Sequence, residues 1–356
     1  MRITGKEKVL VCPLGWGLGH ASRSVVVIEF LLKKGCRVAV AADKTQCSFI
    51  KSRYPELEFI HFPSYGVKFS SGSNQLFPLI RIAFKMIYRT TSEHFEVKKL
   101  IKTYDIDLII ADNRFGLYSK KIPSIFITNQ LSVRFPKPFQ GFKPIGEWFV
   151  KRHAERFTQC WIPDNPSGIS ISGELTNPVK MTKNAVRVGL MSRFAGDEAQ
   201  KRIQEWDLLT IISGPPPHRE IMQNEVEILA KRLQLKTLIL QGIPQSEENS
   251  TIRDNITFVS NLPDKEIAKA ICTAKYIICR SGFSTITDLL ALKRNAILVP
   301  TPGQTEQEYL CKHLSGLNYF TTYSQHEIHA LEIKQLVIAD DNVTTREAVF
   351  FPLEQF

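Results

Sequence analysis

The stretch from 276 to 292 constrains the fold most, because an apolar run passes there through a turn of small residues into helical spacing. The run at 276–278 predicts a strand, and the apolar spacing over 286–292 predicts a helix that begins near Gly282. Free backbone N–H groups and the helix dipole favour an anion at such a turn, and glycine lets the backbone approach it. Asp288, about one and a half turns into this helix, suits a sugar hydroxyl. A plain helix start, with Ser284 as its cap and Asp288 in solvent, fits the stretch equally well.

Short apolar runs alternate with helical patterns through both halves of the 356-residue chain. Strands joined by helices lie parallel in one sheet, so the alternation predicts two α/β domains of Rossmann-like type. We expect the first domain over residues 1–190, the second over 191–345, and a C-terminal tail over 346–356. A cleft between two such domains is the default ligand site. The predicted strands lie near 9–12, 37–41, 57–61, 108–111 and 124–127 in the first half, with a last one within 186–194 that leads into a linker, and near 208–213, 237–240, 256–259, 276–278 and 296–299 in the second.

The net charge of +11 indicates an acidic partner, such as nucleic acid, an anionic lipid or a phosphorylated substrate. Nucleic acid is disfavoured, because the chain has no basic–aromatic RNA-binding signature, zinc-finger spacing or basic heptad region. The seven cysteines form no CxxC pair and show no metal-ligand spacing, so we interpret them as reduced residues, mostly of the core. The polar start shows no secretory signal, and no run reaches the ~18 apolar residues of a spanning helix. These features indicate a cytoplasmic protein.

Two stretches of the first half mix apolar and aromatic side chains with Lys and Arg, at residues 79–89 and 135–156. This mixture suits contact with an anionic membrane surface. Core-facing helices with snorkelling cations have the same composition, so both interpretations stay open. With membrane contact, the protein would be peripheral on the cytoplasmic membrane face.

A glycine-rich loop that includes Gly17 and Gly19 follows the first predicted strand. His20 stands where a dinucleotide fingerprint requires a third glycine, so the loop is a poor fingerprint of that kind. Since His20 begins a helix at the carboxyl end of a strand, it is a candidate general base or a helix-capping residue. Asp112 ends another predicted strand and is likewise a candidate catalytic carboxylate or a cap of the next turn.

A third polar group opens the predicted helix that follows the strand near 296–299. Gln304, Gln307 and Glu308 fall on its first turns, side by side on one face. A carboxamide and a carboxylate in this position suit the hydroxyl groups of a sugar, although ordinary capping and solvation explain the same residues.

Taken in order, these motifs resemble the GT-B glycosyltransferases, whose fold places two Rossmann-like domains across a central cleft. Within that class they are most similar to the MurG family of peptidoglycan N-acetylglucosaminyltransferases and to bacterial relatives that share its carboxyl-terminal domain. The resemblance is strong over about 255–314 and at the first loop, and it is faint across 50–185. It is carried by Gly17-x-Gly19-His20, Arg193, Arg280-Ser281-Gly282-x-x-Thr285-x-x-Asp288, and Val299-Pro300 followed by Gln307-Glu308-Tyr309.

For the donor, the resemblance implies that the turn at 281–285 cradles a diphosphate and that Arg193 reaches the same phosphates. Asp288 takes the place of a glutamate that binds ribose hydroxyls, and residues 258–262 would lie along the uracil. The resemblance also implies that Gln307, with Glu308 beside it, binds the sugar hydroxyls. The predicted donor-binding residues are Gly17, Gly19, Arg193, Leu262, Arg280, Ser281, Gly282, Phe283, Ser284, Thr285, Asp288, Gln304, Gln307 and Glu308.

For the acceptor, the resemblance implies that Gly17 and Gly19 face the diphosphate and the acceptor, and that His20 removes the proton of the attacking hydroxyl. Asp112 joins it on the strength of its place at a strand end, so the predicted catalytic residues are His20 and Asp112. The family's glycine-serine turn after the first carboxyl-domain strand is replaced here by Ser-Gly-Pro-Pro-Pro at 213–217, and we assign no phosphate contact there.

The implied activity is transfer of a hexose or N-acetylhexosamine, with N-acetylglucosamine favoured, from a UDP-sugar to a hydroxyl of a lipid-linked or cell-envelope glycan acceptor. The reaction would invert the anomeric centre and would use no metal and no other cofactor, since no His/Asp cluster offers a Mg²⁺ site. A UDP-sugar 2-epimerase of the same fold is an alternative, but it would need several cleft carboxylates, of which we can name Asp112 and Glu308. A non-catalytic sugar-nucleotide-binding subunit is disfavoured by the presence of both His20 and the donor turn.

Overall fold

The computed structural model describes residues 3–64, 76–135, 137–176, 182–196, 203–214, 216–243, 250–339 and 348–352, with only the backbone described over 76–84 and at 137 and 138. The chain divides into two compact units. Unit 1 comprises Met1–Leu190 with Phe351–Phe356, and unit 2 comprises Met191–Phe350.

Unit 1 contains a seven-stranded parallel sheet in the order β3-β2-β1-β4-β5-β6-β7. Single 3₁₀ turns lie at Lys137–Phe142 and Gly173–Leu175. The elements are β1 (Lys8–Pro13), α1 (Leu18–Lys33), β2 (Arg37–Ala42), α2 (Lys44–Lys51), β3 (Glu58–His61), α3 (Leu76–Tyr104), β4 (Leu108–Asp112), β5 (Ser124–Ile127), α4 (Lys143–Ala154), β6 (Gln159–Ile162) and β7 (Ala185–Arg187).

Unit 2 also contains a seven-stranded sheet, in the order β10-β11-β9-β8-β12-β13-β14, and β10 alone runs antiparallel to its neighbour. Two 3₁₀ turns lie at Gln325–Ala330 and Ile333–Gln335. The elements are β8 (Trp206–Ile211), α5 (His218–Arg232), β9 (Thr237–Leu240), β10 (Ser250–Arg253), β11 (Ile256–Val259), α6 (Asp264–Thr273), β12 (Ala274–Arg280), α7 (Phe283–Ala291), β13 (Ile297–Val299), α8 (Thr305–Gly316) and β14 (Thr321–Thr322).

The central strands of both sheets are buried on both faces, which explains why their sequences are continuous apolar runs rather than alternating ones. All five residues of β4 and all four of β5 and β9 are buried. The predicted alternation of strands and helices in two parallel-sheet units is confirmed. Strand β6 and the edge strands β10 and β14 have no counterpart in the predicted set. The sequences of β10 and β14, Ser-Thr-Ile-Arg and Thr-Thr, are short and mostly polar, so they carry no apolar signal.

The end of the chain returns to unit 1. Phe351 is buried, and its ring lies 5.0 Å from that of Phe30 and 5.6 Å from that of Trp161 between ring centroids. Its backbone N–H donates to the carbonyl of Leu190, the last residue of the main segment of this unit. The structure therefore assigns Phe351, within the expected tail at 346–356, to the core of unit 1. Among the described residues, no helix combines the length and the apolar character needed to cross a bilayer.

Replacing Phe351 with Ala should lower the free energy of unfolding of unit 1 by about 3–5 kcal/mol, because the ring fills space between two buried aromatic side chains. Chemical denaturation of the full chain would measure this loss. The matched control is Phe95→Ala, since Phe95 is an exposed phenylalanine of the same unit. Equal stability of the Phe351 variant and the control would show that the chain end does not stabilise this core.

Candidate active site

His20 and Asp112 lie together at the carboxyl edge of the sheet of unit 1. Asp112 is the last residue of β4 and pairs in register with Pro13, the last residue of β1. The chain leaves β1 through the glycine loop and enters α1 at Leu18, which places His20 in the first turn of the helix. Nδ1 of His20 lies 3.0 Å from Oδ1 of Asp112. The structure thus brings the two predicted catalytic residues into direct contact.

Arg23 completes this cluster, and the sequence analysis did not identify it. Its Nε donates to Oδ2 of Asp112 at 2.9 Å, and its NH2 group donates to Oδ1 of the same carboxylate. NH1 donates to Oδ1 of Asn129, in the loop after β5, at 3.2 Å. Because Arg23 follows His20 by three positions on α1, both side chains point to one face of the helix. That spacing was the one sequence signal for this residue.

Asp112 is a buried carboxylate surrounded by donors. Burial alone raises the pKa of Asp112, but Arg23 and then His20 outweigh that effect and hold the pKa below its ordinary value. The group is therefore ionised at neutral pH, and it can accept hydrogen bonds from both side chains of α1.

The glycine loop is held by residues that follow β2. Ser64 donates to the Asp43 carboxylate, and the same Ser64 hydroxyl accepts the backbone N–H of Gly15 at 3.0 Å. A Cβ at Gly15 would lie 2.0 Å from Oδ2 of Asp43, so a larger residue here would displace the Asp43 carboxylate that holds the loop. Gly17 has a φ of 82°, and its carbonyl accepts a hydrogen bond from Nε2 of Gln46 at 3.1 Å. These contacts fix the loop, while Gly19 enters the first turn of α1.

In unit 2, the predicted donor turn lies between β12 and α7. Gly282 is the N-cap of α7 and has no side chain that could cap the N–H groups of the first turn, which contains Phe283, Ser284 and Thr285. Ser284 lies inside the helix, so the alternative in which it caps the helix is wrong. The φ of Gly282 is −70°, a value open to any residue, so the turn does not require glycine for its backbone conformation.

Arg280 supports this turn from inside unit 2. The side chain is fully buried, and its guanidinium donates to the carbonyls of Pro300 and His218 and to the side chain of Gln325. Burial lowers the pKa of Arg280 to about 10, which still leaves it charged at neutral pH. Its predicted role in binding the sugar donor therefore needs revision, because NH1 and NH2 of Arg280 already donate hydrogen bonds to protein oxygens. We interpret Arg280 as a support of the turn.

Ser281 and Phe283 also face inward. The hydroxyl of Ser281 donates to the carbonyl of Gln307 at 3.2 Å, which ties the turn to α8, and Phe283 is buried. The groups that the turn leaves for an anion are accordingly the backbone N–H groups at the start of α7.

Arg193 and Asp288, both predicted to bind the donor, contact each other. Nε of Arg193 lies 3.3 Å from Oδ2 of Asp288, and NH1 of Arg193 donates to Oδ1 of Asp264 at 2.7 Å. Oδ1 of Asp288 accepts a hydrogen bond from the Ser192 hydroxyl at 2.7 Å. Burial raises the pKa of Asp288, against the opposing effects of Arg193 and Ser192. The predicted phosphate and ribose ligands thus form one cluster in unit 2.

The predicted sugar-binding group surrounds the start of α8. Gln304 is the N-cap of the helix. Oε1 of Gln307 accepts the N–H of Thr301 at 2.8 Å, and Oε1 of Glu308 accepts the N–H of Gly303 at 2.9 Å. Both side chains therefore order the loop between β13 and α8 with one oxygen each. Leu262, half-buried, lies in the connection from β11 to α6.

The apolar–basic stretches fall on two helices of unit 1 that line a common groove. Residues 79–89 belong to α3, and the side chains of 79–84 lie outside the described residues. Residues 135–156 contain the 3₁₀ turn at Lys137–Phe142 and α4. A groove of about 400 Å³ is lined by both helices and includes Phe95 and Trp148. The exposed apolar side chains of these elements are Ile87, Tyr88, Phe95, Phe142, Ile145 and Trp148.

Among the described residues, no group of three or more His, Cys, Asp or Glu side chains is arranged to hold a metal ion.

Acidification should reduce the contribution of Asp112 to stability. The pKa of Asp112 in the folded protein is below its ordinary value, so its ion pair contributes fully above the unfolded pKa and is lost as pH falls through the folded one. Asp112→Asn should therefore cost about 3–5 kcal/mol at pH 7, because it leaves Arg23 buried without its counter-ion. The difference in unfolding free energy between the wild type and the variant should shrink toward pH 3. A difference that stays constant over this range would contradict the assignment of an ionised Asp112.

Sequence comparisons place the chain near known glycosyltransferases. The profile of the glycosyltransferase family 28 C-terminal domain matches residues 219–346. The UDP-N-acetylglucosamine–N-acetylmuramyl-(pentapeptide) pyrophosphoryl-undecaprenol N-acetylglucosamine transferase of Histophilus somni (strain 129Pt) is 38% identical over 344 residues, which cover 93% of this chain and 89% of the relative. The enzyme of the same name from Pasteurella multocida (strain Pm70) is 23% identical over 354 residues, covering 96% and 91%.

Among solved structures, the calicheamicin glycosyltransferase CalG4 matches with a TM-score of 0.63 and 12% identity, covering 98% of this chain and 92% of that one. At this identity the likeness concerns the fold alone. The fold is the GT-B fold expected from the sequence.

Proposed function

The chain belongs to the family of the UDP-N-acetylglucosamine–N-acetylmuramyl-(pentapeptide) pyrophosphoryl-undecaprenol N-acetylglucosamine transferases, and from this premise we propose that it transfers N-acetylglucosamine from a UDP-linked donor to a hydroxyl of a lipid-linked acceptor. The observation that carries the proposal is the contact of His20 with the buried, ionised Asp112 at the carboxyl edge of the unit 1 sheet. Open α/β sheets bind their ligands at this edge. Family membership also favours transfer over the epimerase alternative.

His20 is the proposed general base. With Nδ1 directed at Asp112, the other ring nitrogen, Nε2, is the one that can take the proton of an acceptor hydroxyl. The hydroxyl oxygen then forms a bond to the anomeric carbon as the bond from that carbon to the UDP oxygen breaks. Attack from the face opposite the leaving group inverts the anomeric centre.

Positive charge in unit 2 is proposed to stabilise the leaving UDP. The first-turn N–H groups of α7 have no capping side chain at Gly282, and the helix dipole adds to their attraction for a diphosphate. Arg193 supplies a full charge near the same helix through its contact with Asp288. These groups are the basis for proposing a reaction that needs no metal ion.

The surface formed by α3, the 3₁₀ turn at Lys137–Phe142 and α4 is proposed to contact an anionic membrane, where a lipid-linked acceptor resides. Among the side chains that the structure describes there, six large apolar ones are exposed, and Lys and Arg side chains occupy the same elements. Apolar groups enter the interfacial region of a bilayer while cations pair with lipid phosphates. On this basis we propose a peripheral location on the cytoplasmic membrane face.

Replacing His20 with Ala should reduce kcat by about 10²–10⁴-fold, because the acceptor loses its base. UDP-sugar binding, followed by thermal shift, should stay unchanged, since His20 is not among the predicted donor-binding residues and the groups proposed to stabilise UDP lie in unit 2. Transfer of radiolabelled sugar to membrane extracts measures the turnover. His61→Ala is the control, since His61 is an exposed histidine at the end of β3 in the same unit. Full turnover of the His20 variant would remove the proposed base.

Replacing Trp148 with Glu should lower the affinity for phosphatidylglycerol vesicles about tenfold or more. The variant loses an aromatic side chain that would enter the bilayer interface, and it brings a negative charge to an anionic surface. Vesicle co-sedimentation at physiological salt measures the affinity. Ile228→Glu is the control, since Ile228 is an exposed apolar residue of α5 in unit 2. Equal vesicle affinity of the two variants would rule out the α3–α4 surface as the membrane contact.

A further inference from the structure

Arg23 is buried in the His20–Asp112 cluster, and its partners leave it little capacity to bind a substrate. Its side chain is 4% exposed. Each guanidinium nitrogen has a protein acceptor, with Nε and NH2 on the two oxygens of Asp112 and NH1 on Asn129. A cation that recognised an acceptor phosphate would present free N–H groups to solvent. The function of Arg23 must therefore be exerted through the groups that it contacts.

The contacts of Arg23 bear on which nitrogen of His20 carries a proton. Oδ1 of Asp112 is approached by Nδ1 of His20 at 3.0 Å and by NH2 of Arg23. NH2 also lies 3.2 Å from Nδ1 of His20. A guanidinium can only donate and an ionised carboxylate can only accept. The His20–Asp112 bond thus requires hydrogen on Nδ1, which leaves the lone pair on Nε2 for an incoming proton. Donation from NH2 of Arg23 to Nδ1 would require the opposite tautomer, and NH2 already has Oδ1 of Asp112 as its acceptor.

A protonated Asp112 would reverse this arrangement. A carboxyl group can donate its own hydrogen to Nδ1 of His20, and neutral imidazole would then carry its hydrogen on Nε2, where it cannot act as a base. Whether Asp112 takes up a proton depends on the charged and titratable groups that surround it. From β1 and β5, the residues in register with Asp112 are Pro13 and Ile127, and neither titrates. From α1, the charged or titratable groups are Arg23 and His20 itself.

We propose that Arg23 is a positioning residue that keeps Asp112 ionised and thereby holds His20 in the tautomer whose Nε2 can accept the acceptor's proton. This inference rests on the proposed function of His20 as general base. On this proposal the bidentate Arg23–Asp112 ion pair affects catalysis, through the tautomer of His20, as well as stability.

The test compares ring-nitrogen spectra and kinetics of Arg23→Gln, Arg23→Lys and the wild type. Protein labelled with ¹⁵N in its eight histidines reports the tautomer of each ring in long-range ¹H–¹⁵N spectra, and the His20 signal is assigned by its loss in His20→Gln. The control is Arg37→Gln, which removes the same charge from an exposed position at the start of β2.

For Arg23→Gln we expect a growing population of neutral His20 with its hydrogen on Nε2 as pH falls, distinct in its ¹⁵N shifts from imidazolium, which carries hydrogen on both nitrogens. A loss in kcat of about 10–100-fold that increases toward acid pH should accompany it. KM for the UDP-sugar should stay within about twofold. Arg23→Lys should restore part of kcat, because an ammonium keeps the charge but cannot bond both oxygens of Asp112 as a planar fork. Arg37→Gln should match the wild type in all readouts.

An unchanged His20 tautomer and a pH profile parallel to that of the wild type in folded Arg23→Gln would overturn the proposal and leave Arg23 a structural residue. Where Arg23→Gln does not fold, Arg23→Lys carries the test, and the absence of any neutral Nε2–H tautomer across the pH series would have the same meaning. Failure of the base assignment is distinguishable. Full turnover of His20→Ala would refute that assignment, while the ring-nitrogen spectra would still report whether Arg23 sets the tautomer.

Discussion

The structure of the unit 1 site depends on the compensation of one buried negative charge. Asp112 ends a central strand, and an ionised carboxylate in that position is strongly unfavourable without charged donors. Those donors come from the first two turns of α1, which must therefore begin beside the end of β4. The chain reaches this starting point through the glycine loop, where Gly17 adopts a positive φ. The ion pair, the loop and the position of His20 are thus consequences of a single requirement.

Unit 2 contains the converse arrangement, a buried positive charge at the end of a central strand. Arg280 ends β12, and neutral oxygens from the start of α5, the end of β13 and the 3₁₀ turn at Gln325–Ala330 surround its guanidinium. Because these oxygens belong to three different segments, Arg280 fixes their positions relative to the turn that follows it. The ligand-facing groups of that turn can then be backbone N–H groups, whose direction is set by α7. In both units a buried ion at a strand end thus holds together segments that are distant in the chain.

The sequence predicted the strand–helix alternation and the strand ends where polar residues gather, because continuous apolar runs and turn residues are local signals. The family resemblance at the first loop and over about 255–314 is confirmed by the relative that is 38% identical. Arg23 was not predicted, because its partner Asp112 lies 89 positions away and no local pattern marks such a pair. For the same reason, Arg280 resembled a donor ligand in the sequence, whereas the structure places its partners 20 to 62 positions away. Propensity and motif spacing locate the turn, but long-range packing decides which of its side chains face inward.

Under the proposed function, contacts among the proposed donor ligands would couple phosphate recognition to ribose recognition. Arg193 is held between Asp264 and Asp288, while Asp288 uses one oxygen for Ser192 and directs the other at Arg193. A ribose hydroxyl that bonds Asp288 would therefore share its oxygens with Ser192 and Arg193. A diphosphate at the start of α7 offers Arg193 a more highly charged acceptor than either carboxylate, and movement of the guanidinium toward it would free Oδ2 of Asp288. Under the proposed function, the phosphates would thus prepare the ribose site, and a nucleoside without phosphates would meet an Asp288 that is still paired.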